Sequence, residues 1–297
     1  MVRKIKQIIS LLLIMLLSVS LFSCSYFKKA QEATSLDEAE NVETKTYINN
    51  YGSEAENDEA VTNDQSSELT EDESVDTEEA QQQVSTGKLA GRKICVDPGH
   101  GTFTQSVKEP IAPGSTETKA AFVTGTSGSY QTEAEFNLKV GMLLKEMLEA
   151  EGAEVFMTRT GAVAELSNVG RAQLGNDNNC DCAVRIHADA SSDSSVYGLS
   201  MLVPGSGGYI TDYDLISESR DLGIYVLESV IDKTGAYNRG IINRNDLTGF
   251  NWSTIPSILI ECGFMTNPQD DAMLADPDYQ VLIAEGITQG LINYFNK

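Results

Sequence analysis

The sequence predicts an α/β fold: a single domain with a largely parallel twisted sheet flanked by helices, spanning residues 88–297. Three observations carry this expectation. From residue 93 onward, short apolar runs alternate with stretches whose apolar residues recur at 3.6-residue spacing. Three of those runs break at junctions that present a histidine or a glutamate, as strand ends do in an α/β sheet. Before residue 88 the composition changes to one that no packed core could use.

Residues 1–23 read as a lipoprotein-type signal. Arg3, Lys4 and Lys6 form a basic start, and residues 8–22 are apolar with a few serines. That run is shorter than the roughly 20 residues a spanning helix needs. Leu21-Phe-Ser-Cys24 resembles a bacterial lipobox, with Leu three before Cys and Ser just before it; Phe22 departs from the small or β-branched residue usual there. The resemblance implies cleavage before Cys24 and a lipid on its thiol. An ordinary signal peptide or an uncleaved anchor is the alternative, and every version exports the chain. The expected location is extracytoplasmic, lipid-anchored at the outer face of the bacterial cytoplasmic membrane, or secreted.

Residues 24–87 hold the anchor cysteine and an acidic linker. From 30 to 87 there are 17 Asp and Glu against one Lys, with no Pro or Trp. Such a segment cannot bury enough apolar surface to offset its ordering entropy, so it is expected to be disordered, a leash on the order of 40 Å across by the square-root rule. An acidic interaction tail is the other reading. The remaining 88–297 carries 15 basic and 27 acidic residues without basic clustering, which gives no footprint for nucleic acid. Cys95, Cys180, Cys182 and Cys262 sit in or beside apolar runs and are expected as buried free thiols. A Cys-x-Cys metal site at 180 and 182 lacks a second pair.

The first strand, 93–96, breaks at Asp-Pro-Gly and delivers His100. Residues 102–130 are rich in Gly, Ser, Thr and Pro and are expected as a long structureless loop, functional or mobile. A helix follows over 131–151: Phe136, Val140, Leu143, Leu144, Met147 and Leu148 share one face, and Gly152 stops it. Projection at 100° per residue puts Glu133 on that inward face and Glu135 opposite. A strand at 154–159, a helix from about 164 to 176 and a strand over 182–187 ending in His187 come next. A strand at 198–203, a helix at 215–233, a strand at 256–263 ending in Glu261 and a last helix at 279–295 complete the domain.

His100, Glu133, His187 and Glu261 thus lie at element ends that can converge in one crevice. Two His and one Glu form a recognised catalytic zinc set, and a further carboxylate can take a proton from water at the open position. The plainer alternative is that Glu133 caps its helix, Glu261 pairs with an Arg, and the histidines are unrelated.

Five ordered strings, VDPGHG at 96–101, TEAEFNLKVG at 132–141, MTRTG at 157–161, RIHADA at 185–190 and LIECGFMTN at 259–267, resemble the zinc-dependent N-acetylmuramoyl-L-alanine amidases. The resemblance covers nearly all of 88–297. EPIAPGSTETKAAFVTGTSG at 109–128 and RGIINRNDLTGFNWSTIPS at 239–257 resemble the branch found in Firmicutes. The resemblance implies one Zn2+ per chain held by His100, Glu133 and His187, with Glu261 as the catalytic carboxylate. It implies a peptidoglycan substrate, cut between N-acetylmuramic acid and L-alanine. Many members have Ser two before the second His and Asn two after it; here these are Arg185 and Asp189, so either the orientation of the metal ligands or the substrate preference is expected to differ. Arg185, Arg244 and Asn251 are candidate substrate contacts, with Arg185 better suited to a structural ion pair. A zinc peptidase acting within the stem peptide and a non-catalytic wall-binding lipoprotein are the competing functions.

Overall fold

The computed structural model describes residues 87–297; the signal, Cys24 and nearly all of the acidic linker expected above lie outside the described residues. Six strands form the central sheet: β1 (Lys93–Pro98), β4 (Glu154–Met157), β5 (Cys182–Asp189), β6 (Leu199–Pro204), β7 (Asn238–Arg244) and β8 (Ser257–Phe264). Two short strands, β2 (Lys108–Pro110) and β3 (Thr118–Ala120), pair separately as an antiparallel hairpin. The helices are α1 (Glu133–Ala150), α2 (Asn168–Asp177), α3 (Tyr213–Thr234), α4 (Thr248–Asn251), α5 (Pro268–Ala275) and α6 (Pro277–Phe295). The sheet order is β4-β1-β5-β8-β6-β7, and only the β8–β6 pairing is antiparallel. Among the described residues no helix is long and apolar enough to cross a membrane.

Strand periodicity divides the sheet into two unlike faces, because successive side chains alternate. Ile94, Val96, Val184, Ile186, Ala188, Ile258, Ile260 and Cys262 enter one core with Phe136, Val140, Leu144 and Leu148 of α1, Val226 and Val230 of α3, and Ile283, Ile287 and Leu291 of α6. The apolar face expected of α1 is the face it buries, with Leu143 and Met147 at its margin. α6 lies between α1 and α3 and touches both. Its Gly286 and Gly290 permit that closeness, since a Cβ at either would overlap the backbone of Val230 or Val226.

The opposite face is covered more thinly, by α2 over β1 and by α4 beside β6, with a small cluster of Leu202, Phe250 and Leu259. All four cysteines of the folded region are buried and unbonded, as expected. Burial pushes the Cys180 thiol up to about 11.

Several expectations need correction. The long loop contains the β2–β3 hairpin, whose buried Glu109 accepts a hydrogen bond from the Val169 N–H at the start of α2 (3.1 Å). α2 begins at Asn168 rather than near 164, because Ser167 caps it and residues 162–164 instead bond to Thr102. The run 239–257, where the sequence predicts no element before the strand at 256, supplies most of β7 and the single turn α4. Between β8 and α6 lies the unanticipated α5, started by the Asn267 side chain, which accepts from the N–H groups of Gln269 and Asp270, with Pro268 in its first turn.

Candidate active site

β1 ends at Pro98, and Gly99 and His100 turn across the carboxyl end of the sheet. His100 has φ 62°, a left-handed conformation that costs a non-glycine residue energy and persists only where neighbours enforce it. Two arginines do so by holding the carbonyls of this turn. Arg159 donates from Nε to Pro98 O (2.8 Å) and from Nη2 to Gly99 O (2.9 Å); Arg171 donates from Nη1 to Pro98 O (2.9 Å) and from Nη2 to His100 O (2.6 Å). Beneath them Asp97 accepts from Arg171 Nη1 (2.6 Å), Thr158 Oγ1 (2.6 Å) and Arg185 Nε (2.8 Å). Burial pushes the Asp97 carboxyl up, but the two guanidiniums and the hydroxyl overcome it and hold it well below the usual carboxylate range.

His100 Nδ1 stands 2.8 Å from Val123 O. A carbonyl can only accept, so Nδ1 carries the proton and Nε2 is the free atom. That nitrogen lies 3.1 Å from Glu133 Oε1, and His187 Nδ1 approaches the same oxygen at 2.9 Å. The imidazoles meet edge to face with centroids 4.8 Å apart. Gly99 lies against the His187 ring, where a Cβ would overlap it.

Glu133 is free to face inward because another residue caps its helix. Thr132 and Glu135 form a reciprocal capping box: the Thr132 hydroxyl accepts from the Glu135 N–H, and the Glu135 carboxylate accepts from the Thr132 N–H. The T-x-x-E spacing of 132–135 is the sequence signal for this arrangement. Glu133 is 4% exposed, and its Oε2 accepts from the Thr126 N–H at 2.9 Å. Burial raises its carboxyl, yet the two histidines against it hold it well below the usual range. Burial lowers His187 in turn, only partly offset by Glu133.

His100, Glu133 and His187 bring one donor atom each to within 4.8 Å of one another, and they form the His/Cys/Asp/Glu group among the described residues that could hold a metal ion. Two neutral imidazoles and a carboxylate suit a divalent cation of intermediate softness. Glu261 pairs with His187 in the β5–β8 register, so the two side chains share a sheet face. Its Oε2 is buried without a hydrogen-bond partner among the described residues, and burial, followed by repulsion from Glu133 and Asp189, pushes its carboxyl well above the usual range. Such a group needs a proton or a nearby cation.

A cleft of about 560 Å³ opens from His100 and His187 and runs between the β2–β3 hairpin and α4. Arg185 lies in its wall and makes the ion pair with Asp97 described above. Arg244 closes β7 and grips Asp246 through two bonds of 2.7 and 2.9 Å. Asn251 is buried in α4 and donates to Ile111 O (3.1 Å), and the neighbouring Trp252 indole donates to Pro110 O (2.9 Å). Both therefore hold the hairpin in place. Sequence reasoning missed Asp97, Arg159 and Arg171, whose signal was present only as charged residues set among apolar strands.

Residues 94–293 match the family model described as N-acetylmuramoyl-L-alanine amidase. The chain belongs to the N-acetylmuramoyl-L-alanine amidase family. Among curated relatives of this amidase-family chain, "Probable cell wall amidase LytH" of Staphylococcus epidermidis is 29% identical over 219 residues, covering 73% of this chain and 63% of the relative. Its Staphylococcus aureus counterpart is 26% identical over 209 residues, with 70% and 60% covered. The chain thus spans less than two thirds of the length of these relatives. The fold is similar to that of the N-acetylmuramyl-L-alanine amidase Ami1 from Mycobacterium abscessus (25% identity, TM-score 0.63, 69% of this chain and 99% of that one). It is also similar to the N-acetylmuramoyl-L-alanine amidase from Clostridium difficile 630 (26%, TM-score 0.56, 69% and 97%).

Proposed function

We propose that this protein is a zinc-dependent peptidoglycan amidase that hydrolyses the bond between N-acetylmuramic acid and L-alanine. The observation that carries the reading is the convergence of His100, Glu133 and His187 beside the unpartnered carboxylate of Glu261, inside a domain of the amidase family. Zinc held by the three ligands would supply Lewis-acid chemistry, acidifying water and polarising the amide carbonyl. The left-handed turn at His100 and the bond to Val123 O fix one imidazole; the capping box leaves Glu133 to the ligand set; His187 is fixed from the strand beside Glu261. Glu261 accepts the proton of the attacking water and returns it to the amine nitrogen, which leaves poorly unless protonated.

The proposal extends to where this occurs. A signal over 1–23, a lipid on Cys24 and a leash up to residue 87 would hold the catalytic domain, 88–297, against the wall on the outer side of the membrane. The substrate reading is tested by digesting purified peptidoglycan with the full chain and weighing the products by mass spectrometry. Release of intact stem peptides starting with L-alanine is expected; fragments cut inside the stem would indicate a peptidase and sink the proposal. Metal analysis is expected to return one zinc per chain.

A further inference from the structure

The cleft beside the metal-ligand cluster has a charge bias opposite to that of the domain. Residues 88–297 carry more acidic than basic groups, yet besides the two histidines the charged lining is Lys108, Lys119 and Arg185 against Asp246. Asp246 is already neutralised, since Arg244 grips both its oxygens and Lys119 Nζ sits 2.6 Å from its carbonyl and 4.0 Å from Oδ2. Lys108 has no ion pair among the described residues, and it is exposed on the hairpin.

Arg185 is the least expected member of this set. It is only 8% exposed, and its Nε bonds Asp97 at 2.8 Å. Asp97 also bonds Arg171, so two guanidiniums face one carboxylate and a positive charge is left over. Neither Nη1 nor Nη2 of Arg185 has a hydrogen-bond partner among the described residues. Gly249 of α4 lies directly against that edge, where a Cβ would overlap Nη1; the absence of a side chain is what leaves the fork its space. A half-used guanidinium in a cleft wall is suited to a planar carboxylate, which it can bind through two parallel bonds.

We propose that the outward edge of Arg185, with Lys108 and Lys119 on the hairpin, is a carboxylate-reading subsite. It makes the enzyme select stem peptides that carry a free carboxylate near the scissile amide over those in which it is amidated. This inference rests on the amidase reading. A carboxamide would offer the same shape without the charge and would leave the Arg185 donors poorly paired.

The test uses the zinc-loaded full chain and two synthetic muramoyl peptides, identical except for a carboxylate or a carboxamide on the residue after L-alanine. The carboxylate form is expected to have a kcat/KM about 10- to 100-fold higher, the worth of one charge-assisted hydrogen bond, and the advantage should shrink as salt is raised. Cleavage of both at equal rates overturns the carboxylate inference and leaves the amidase reading standing; cleavage of neither takes both down. Arg185→Gln should abolish the preference, but it also frees Asp97 and can disturb the fold. Lys108→Gln combined with Lys119→Gln leaves Arg185 and Asp97 intact, removes the Lys119 contact with the Asp246 carbonyl, and should reduce the preference several-fold, through KM for the carboxylate form. An unchanged preference in that double variant would remove the lysines from the subsite, and an unchanged preference in folded Arg185→Gln would overturn the proposal.

Discussion

On β5, Val184, Ile186 and Ala188 point into the layer of α1, α3 and α6, while Arg185 and His187, one residue out of phase, point to the cleft side. β1 repeats the pattern with Ile94 and Val96 against Asp97, and β8 with Ile258, Ile260 and Cys262 against Glu261. One face is an apolar interior closed by glycines that let helices approach. The other is thinly covered and holds buried charge, a left-handed histidine and a carboxylate without a partner. The same strands therefore separate the source of stability from the source of chemistry. The apolar face gains from every atom it buries, whereas the polar face stays folded only because its charges are mutually bonded.

Replacing His187 or His100 by Ala should reduce zinc stoichiometry from one to near zero and abolish wall hydrolysis, as should prolonged chelation of the unaltered protein. Retention of a full zinc complement would break the assignment of the ligands. Glu261→Gln should bind zinc normally and fold, yet lose about 10²- to 10⁴-fold in kcat, the usual worth of a general base; near-normal turnover of peptidoglycan would remove Glu261 from that role.

The next two predictions set the faces against each other. Arg171→Met leaves Asp97 with one guanidinium and releases the carbonyls of the His100 turn, and should cost about 3–5 kcal/mol in denaturant unfolding; weaker zinc binding should accompany it. Ile186→Ala removes buried apolar volume from the other face and should cost about 2–5 kcal/mol, with zinc stoichiometry unchanged. If Ile186→Ala alters zinc affinity as much as Arg171→Met does, the separation of the faces is wrong.

The pH dependence has a definite sign. Because the folded carboxyl of Asp97 lies below its unfolded value, its contribution is fully present above about pH 4 and is lost as pH falls below it. The thermal midpoint should fall on acidification through that range, and Asp97→Asn should be less stable at pH 7 with a flatter acid limb. The smallest expected effect concerns the thiols. Buried and protonated at neutral pH, Cys95, Cys180, Cys182 and Cys262 should resist a thiol reagent until unfolding, and a reductant should leave activity unchanged.

Periodicity and junction residues determined the α/β class, the inward face of α1 and the choice of Glu133 over Glu135, because burial must follow the 3.6-residue and two-residue repeats whatever the tertiary arrangement. They also placed His100, His187 and Glu261 near strand ends. The β2–β3 hairpin, β7 and α4 were not legible, since short elements hold together through contacts such as Asn251 with Ile111 and Trp252 with Pro110, which join residues about 140 apart. Nor could the sequence alone say that Arg159 and Arg171 turn inward onto the carbonyls of one loop. A long arginine is equally at home in water, and only the packed structure decides where its five donors go.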